Sequence, residues 1–358
     1  MDFGLVVAGD LQRPTGGYRY DRKLVSHLRD RGDTVDVVSV PERRYYRSVL
    51  DGIDPRTRDR LDIPVDVLLC DGICHPLLWR HVRTLERPET VLGLVQYLWS
   101  DDPRVDRFRI RGRIERRFLR SVDGIVATSQ FLADRIATHV DPPPIVVAPP
   151  AGRVQTAAVS ETFVESRSEE TPFRVLFLGS VTQRKDPESI VAALDRLDRS
   201  GRLDRGDWHL RIVGDDTADE SYASTLRSEI HSRGLGERID VTGIIPTARL
   251  ESAFEESHVC CVPSRYEPFG MALLEAMEYG VVPIAGTAGG TGEFIRHGEN
   301  GFLVTPGDTH EIAETLELLA CDRSRLARCG VRARATAVEH PTWTDTVRTV
   351  RSFCADRL

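Results

Sequence analysis

Glu267 and Glu275 stand eight positions apart around the turn Pro268-Phe269-Gly270, and the second acid falls on the opening turns of an apolar helical run beginning near Met271. Two carboxylates placed this way offer acceptors to sugar hydroxyls, and the open N–H groups of a first helical turn offer a seat to an anion. Arg184-Lys185 forms a second cluster in the stretch Leu178-Gly179-Ser180-Val181-Thr182-Gln183-Arg184-Lys185-Asp186-Pro187. A positive pair at the mouth of a helix holds a diphosphate and stabilises the charge that develops as it leaves. Lys23 and Lys185 are the only lysines of the chain, which singles out the second. Each feature also has a plainer reading, a helix-dipole partner for Glu267 and solvated side chains for the rest, and position decides between them.

That position is set by short apolar strands that alternate with amphipathic stretches. Val259 to Val262 reads as one buried strand and Val281 to Ala285 as the next, with the helix between them stopped by Gly280. This is a βαβ unit, and in open parallel sheets ligands gather outside the carboxyl ends of the strands, where Ser264 to Gly270 lies. Arg184 and Lys185 occupy the same kind of loop, with Asp186 read as N-cap and Pro187 as the first helical residue. The alternation begins at Leu5-Val6-Val7, where Asp10 to Tyr18 links strand to helix and Gly16-Gly17 lets the backbone approach a phosphate or sugar. It fails from Gly152 to Thr171, a polar stretch with neither period that reads as an interdomain linker, and resumes at Val175. The result is α/β: two doubly wound domains.

The segment Glu267 to Glu275 resembles the Glu-x7-Glu motif of the retaining glycosyltransferases of family 4. Gly289-Gly290, Glu293 and Gly298-Glu299-Asn300-Gly301-Phe302-Leu303-Val304 follow in that family's order. The resemblance implies the GT-B fold, two Rossmann-like domains facing across a cleft, with an acceptor-side domain over residues 1–165 and a nucleotide-sugar domain over 166–340. A final helix over 341–358 would cross back to the first domain, or else cap the second.

The implied activity is transfer of a sugar from a UDP-, GDP- or ADP-sugar to a hydroxyl acceptor with retention of configuration. Glu267 and the backbone at Phe269, Gly270 and Met271 would hold the sugar, Glu275 the ribose, and Arg184 and Lys185 the diphosphate. The loops at Val213-Gly214-Asp215 and Gly243-Ile244 would lie near the base. Where the family usually has an arginine directly after the strand-end glycine, this chain has Ser180, and Arg184 is read as taking over. Where many members carry a histidine in the first domain, this chain has Gln96, followed by Tyr97 on the acceptor side; glutamine hydrogen-bonds but shuttles no proton. These departures keep two rivals open, a donor- or partner-binding pseudoenzyme and a sugar-nucleotide epimerase.

The chain has 358 residues, room for two domains, and a net charge of −7 that speaks against a nucleic-acid partner. It carries neither a dinucleotide G-x-G-x-x-G nor a Walker loop, and no cofactor or metal is implied. Seven cysteines without a C-x-x-C pair suit reduced thiols, so a cytoplasmic location is expected. Arginines crowd Arg104 to Arg120 around a stripe of Ile110, Ile114, Phe118 and Val122, and Arg43-Arg44-Tyr45-Tyr46-Arg47 adds aromatics. Such a segment serves either as a peripheral contact with the inner membrane face, suited to a lipid-linked acceptor, or as a helix packed on its own sheet.

Overall fold

The computed structural model describes residues 1–102, 110–154, 158–203 and 207–358. The chain forms two compact units, Met1–Ala151 together with Pro341–Leu358, and Gly152–His340. Each is built on a six-stranded sheet.

The first unit holds β1 (Asp2–Ala8), β2 (Thr34–Val40), β3 (Val67–Asp71), β4 (Thr90–Val95), β5 (Gly124–Ala127) and β6 (Ile145–Val147). All pair in parallel in the order β2-β1-β3-β4-β5-β6. The central strands β3, β4 and β5 are apolar apart from Asp71 and Thr90 at their ends and are buried throughout, as strands covered on both faces must be. Edge strand β2 mixes Thr34, Asp36 and Ser39 with valines and leaves most of its residues partly exposed. The reversal of strand order between β1 and β3 opens a crevice outside their carboxyl ends.

The second unit holds β7 (Phe173–Leu178), β8 (Trp208–Val213), β9 (Ile239–Gly243), β10 (Val259–Val262), β11 (Val282–Gly286) and β12 (Phe302–Val304). Their order, β12-β11-β10-β7-β8-β9, is that of a Rossmann sheet, and its reversal falls between β7 and β10. Those two strands end in the Arg184-Lys185 loop and the Glu267 loop.

Helix Trp343–Ala355 belongs to the first unit. A reciprocal capping box of Thr342 and Asp345 starts it. Buried Trp343 meets Tyr20 edge to face at 5.5 Å, the Thr346 hydroxyl donates to the Pro149 carbonyl at 2.6 Å, and Arg351 pairs with Asp33 at 2.8 Å. Asp33 also takes the N-terminal ammonium at 2.9 Å.

The stretch read as an interdomain linker contains helix Glu161–Ser168, a part of the second unit. It shows no apolar period because its anchor is a buried arginine, Arg167, rather than an apolar stripe. Of the arginine-rich segment, residues 103–109 lie outside the described residues. The remainder forms helix Ile110–Leu119, with Phe118 and Leu119 buried and Ile110 exposed. Buried Glu115 accepts the N–H groups of Trp99 and Ser100 at 2.8 and 2.9 Å, so this part of the helix packs on its own unit.

Candidate functional site

Lys185 and Glu267, 82 positions apart in sequence, meet at the reversal point of the second sheet, where Lys185 Nζ donates to Glu267 Oε2. The Ser264 hydroxyl donates to the same oxygen at 3.2 Å. Arg184 lies beside them, its Nη1 at 4.0 Å from the carboxylate and donating to the Tyr266 carbonyl at 2.8 Å. Burial acts to raise the Glu267 pKa, but the charges of Lys185 and Arg184 and the two hydrogen bonds outweigh it, and the carboxyl sits below its ordinary range. Burial lowers the Lys185 pKa against the pull of Glu267. The contact itself is that of an ammonium on a carboxylate.

The backbone is shaped for this meeting. Asp186 stands at the N-cap position of helix Pro187–Ser200, but in a left-handed conformation (φ 56°) and without a side-chain cap. This corrects the expected cap: the buried carboxylate turns to Arg265 at 3.0 Å, and the Arg265 N–H donates to the Arg184 carbonyl at 2.8 Å, tying the two loops together. Pro187 does occupy the first turn.

Across the sheet the Glu267 loop is stitched to Ala288-Gly289-Gly290. The Glu267 N–H donates to the Ala288 carbonyl and the Gly290 N–H to the Glu267 carbonyl, both at 2.9 Å. Gly289 has φ 149°, and a Cβ there would run into the Glu267 carbonyl. Gly289→Ala is therefore expected to displace the Glu267 loop, lowering the melting temperature and activity together, as strain of about 1–3 kcal/mol would; a wild-type melt and rate would contradict this.

Phe269, Gly270 and Met271 lead into helix Met271–Glu278, with Gly270 at its N-cap (φ 101°) and Phe269 packed on Phe294 at 5.2 Å. Glu275 is buried on that helix, and Arg153 holds its Oε2 from Nη2 at 3.0 Å and Nε at 3.2 Å. Arg153 escaped the sequence reading because it sits in the polar stretch after Gly152. Glu278, one turn on, accepts the N–H groups of Arg153 and Val154 at 2.7 and 3.0 Å and so fixes that arginine's backbone.

Gly243 ends edge strand β9 and Ile244 follows it, two strands from the reversal point. Strand ends connect them: the Gly179 N–H donates to Val213 at 2.9 Å and the Gly214 N–H to Gly243 at 3.0 Å. Ile244 is exposed at 56%. The segment Gly298 to Gly301 serves structure, since Asn300 bridges the Phe294 carbonyl and Thr336 at 2.9 Å each and accepts the Arg296 N–H at 2.6 Å.

In the first unit, Gly16 and Gly17 open helix Gly16–Asp30, and a Cβ on Gly17 would lie 3.3 Å from Gln96 Oε1. Gln96 follows β4 and donates its Nε2 to Asp21 at 2.8 Å. That bond leaves the amide oxygen directed at the glycine turn. The Tyr97 hydroxyl donates to Asp102 at 2.8 Å, which makes Asp102 a structural acid. Asp101 is another, held by Arg135 at 2.8 Å and His139 at 2.6 Å.

Sequence reasoning missed the buried acids Asp21 and Asp71. A signal existed, because Asp21 falls on the apolar stripe of its helix with Leu24, Val25 and Leu28. Burial pushes the Asp71 carboxyl up to about 7, and burial together with Asp71 holds Asp21 well above the usual carboxylate range. A carboxyl raised in the folded state stabilises it fully below the unfolded value near 4, and the contribution is lost as pH rises through about 7. Asp71→Asn keeps the oxygen that accepts the Ile73 N–H at 3.1 Å. It is expected to melt above wild type at pH 8 and level with it at pH 4; an equal offset at both would contradict the shift.

Among the described residues, no group of three or more His, Cys, Asp or Glu is placed to hold a metal. Both ring nitrogens of His75, next to Cys74, are engaged instead, by the Gly72 carbonyl at 2.9 Å and the Tyr45 hydroxyl at 3.1 Å. No described helix is long and apolar enough to cross a membrane.

Two Rossmann-like units of this kind are the GT-B architecture, and solved structures bear that out. A sucrose-phosphate synthase from Thermosynechococcus elongatus aligns over 99% of this chain and 98% of its own, with TM-score 0.84 and 19% identity. HepE of Anabaena, solved in complex with UDP-glucose, aligns over 99% and 100% with TM-score 0.80 and 16% identity. Residues 159–336, nearly the whole second unit, match the family described as glycosyl transferases group 1. The second unit belongs to that family.

Curated relatives agree. A D-inositol 3-phosphate glycosyltransferase of Xylanimonas cellulosilytica is 27% identical over 63% of this chain and 56% of its own length. A GDP-mannose-dependent alpha-(1-6)-phosphatidylinositol monomannoside mannosyltransferase of Mycobacterium tuberculosis is 28% identical over 64% and 60%. The chain thus spans less than two thirds of the length of these two relatives.

Proposed function

We propose that the chain is a retaining glycosyltransferase that takes a nucleoside-diphosphate sugar on its second unit. The observation that carries this reading is the Lys185–Glu267 pair, with Arg184 at 4.0 Å, at the reversal point of a group 1 sheet. Lys185 and Arg184 receive the diphosphate, Glu267 and the start of helix Met271–Glu278 the sugar, and Glu275, oriented by Arg153, the ribose hydroxyls. The UDP and glucose named for HepE and the GDP-mannose named for the mycobacterial relative support such a donor.

In the reaction the bond from the anomeric carbon to the diphosphate oxygen breaks, and its electron pair stays on the diphosphate. The acceptor oxygen bonds the same face of the carbon, and its proton passes to the departing phosphate oxygen. Lys185 and Arg184 stabilise the negative charge that grows there. This route asks no proton transfer of Gln96, whose amide oxygen is a hydrogen-bond acceptor. Glu267 already carries a cation, so binding exchanges a partner rather than exposing a bare charge. Ion pairing before the donor arrives keeps the loop in its bound shape, a form of preorganisation.

A thermal-shift panel of UDP-, GDP- and ADP-sugars, followed by proton NMR of the product's anomeric linkage, tests the reading. One nucleotide should raise the melting point, because a ligand that binds only the native state stabilises it, and the product should keep the donor's configuration. An inverted product would overturn retention. Release of an altered sugar on the same nucleotide would favour the epimerase instead.

A further inference from the structure

The first unit carries a pocket at its own reversal point that none of the roles above uses. Ala8 closes β1, Val40 closes β2, and Cys74 lies just past β3; all three line a cavity of about 110 Å³, with Pro41, Leu77 and the rings of Tyr18, Tyr45 and Trp99 completing the wall. Carboxyl-terminal strand ends at a reversal point are where an open α/β sheet takes ligands.

The hydroxyls of both wall tyrosines are turned to the protein. The Tyr18 hydroxyl donates to the Ala8 carbonyl at 2.5 Å, and the Tyr45 hydroxyl meets His75 Nε2 at 3.1 Å and the Arg111 carbonyl at 3.3 Å. Both tyrosines therefore present ring surface. Trp99 leans on Tyr45 at 5.5 Å, and the Arg111 guanidinium covers both rings from 5.4 and 4.6 Å. Of the two charged residues at the rim, Glu42 is matched by Arg13, which donates to it at 2.7 Å, and Arg43 by Asp51 at 3.1 Å.

A wall of aromatic and aliphatic surface with matched charges favours an uncharged, apolar group and penalises a charged one. At about 110 Å³ it is smaller than the apolar cavity of about 150 Å³ that takes up benzene, so it has room for no more than one ring. We propose that this pocket seats a single uncharged ring of the acceptor, so that the acceptor class is a neutral, ring-bearing hydroxyl compound rather than a phosphorylated polyol. The inference rests on the glycosyltransferase reading and deepens it.

Saturation-transfer NMR on the full chain with benzyl alcohol, and separately with myo-inositol 1-phosphate, tests the proposal alongside Ile73→Trp and Ser48→Arg. Ile73 is 42% exposed at the pocket mouth, so the larger ring blocks entry without entering the core, while Ser48→Arg brings an unmatched charge to the wall. Benzyl alcohol should bind saturably to wild type, and each variant should weaken it at least about tenfold, or 1.4 kcal/mol. The melting-point rise given by the nucleoside diphosphate should stay unchanged in both. Absence of saturable binding, indifference to both variants, or preferential binding of the inositol phosphate at this pocket overturns the acceptor class. Failure of every nucleotide to shift the wild-type melting point strikes the glycosyltransferase reading instead.

Discussion

Lys185→Met is expected to lower sugar transfer by at least about 100-fold, near 2.7 kcal/mol of transition-state stabilisation. The substitution removes the cation nearest to where the leaving diphosphate collects charge and keeps most of the unbranched apolar stem. It should also shrink the melting-point rise given by the nucleoside diphosphate, because the same ammonium is assigned to hold the ground state.

Glu267→Gln should cost a similar factor in rate while nucleotide binding persists, since its assigned partner is the sugar. The two residues share one hydrogen bond, so the double variant should fall well short of the product of the single effects. Steady-state kinetics together with calorimetric titration separates these terms. Rates within about threefold of wild type for both single variants would remove the charge from the mechanism, because a positioned ion at a reacting centre contributes far more.

The second large effect is on stability and lies away from the chemistry. Arg167→Ala should destabilise the second unit by about 3–5 kcal/mol, the combined cost of leaving several buried carbonyls without a donor at roughly 1–3 kcal/mol each. Its guanidinium donates to Tyr279 at 2.9 Å and Gly280 at 2.7 Å, and to Phe254 and Glu255 at 3.3 Å each. These carbonyls close the carboxyl ends of helices Thr247–Glu256 and Met271–Glu278, where the helix dipoles are negative and the last carbonyls lack partners. Burial lowers the Arg167 pKa only to about 10, so it remains a cation at neutral pH. His258 completes the arrangement, with Nε2 at 2.8 Å from the Arg167 carbonyl and Nδ1 accepting the Arg174 N–H at 2.9 Å.

Helix Met271–Glu278 carries Glu275, so the same variant should loosen the donor site as it unfolds more readily. Differential scanning calorimetry should show a drop of roughly 10 °C at about 2–4 °C per kcal/mol. A drop under about 1 °C would mean that water satisfies those carbonyls, at odds with the burial argument.

Both effects also show what a sequence can and cannot reveal. Strand, loop and helix around Glu267 and around Lys185 were legible because each is local: an apolar run, a glycine, then a helical period. That both loops belong to strand ends of one kind could be read from the βα alternation. Their direct meeting is a consequence of strand order, β7 beside β10, and no local pattern encodes it.

Arg153 and Arg167 stayed invisible for the opposite reason. Each sits in a polar stretch without period, and each acts through carboxylates or carbonyls more than 80 positions away. Asp186 misled because an aspartate before a proline is a good cap by composition, whereas Arg265 and a left-handed backbone gave its carboxylate other work. Asp21 was readable in principle, as an acid on an apolar helical stripe, but its burial and its pairing with Asp71 at the end of β3 come from the tertiary fold.

The account stands on the diphosphate binding at the meeting of the Lys185 and Glu267 loops. A crystal structure of the full chain with whichever of UDP, GDP or ADP raises its melting point most tests this directly. The account predicts phosphate oxygens within hydrogen-bond distance of Lys185 Nζ and the Arg184 guanidinium, outside the carboxyl ends of β7 and β10. A nucleotide bound elsewhere, with the Lys185–Glu267 pair untouched, would contradict it.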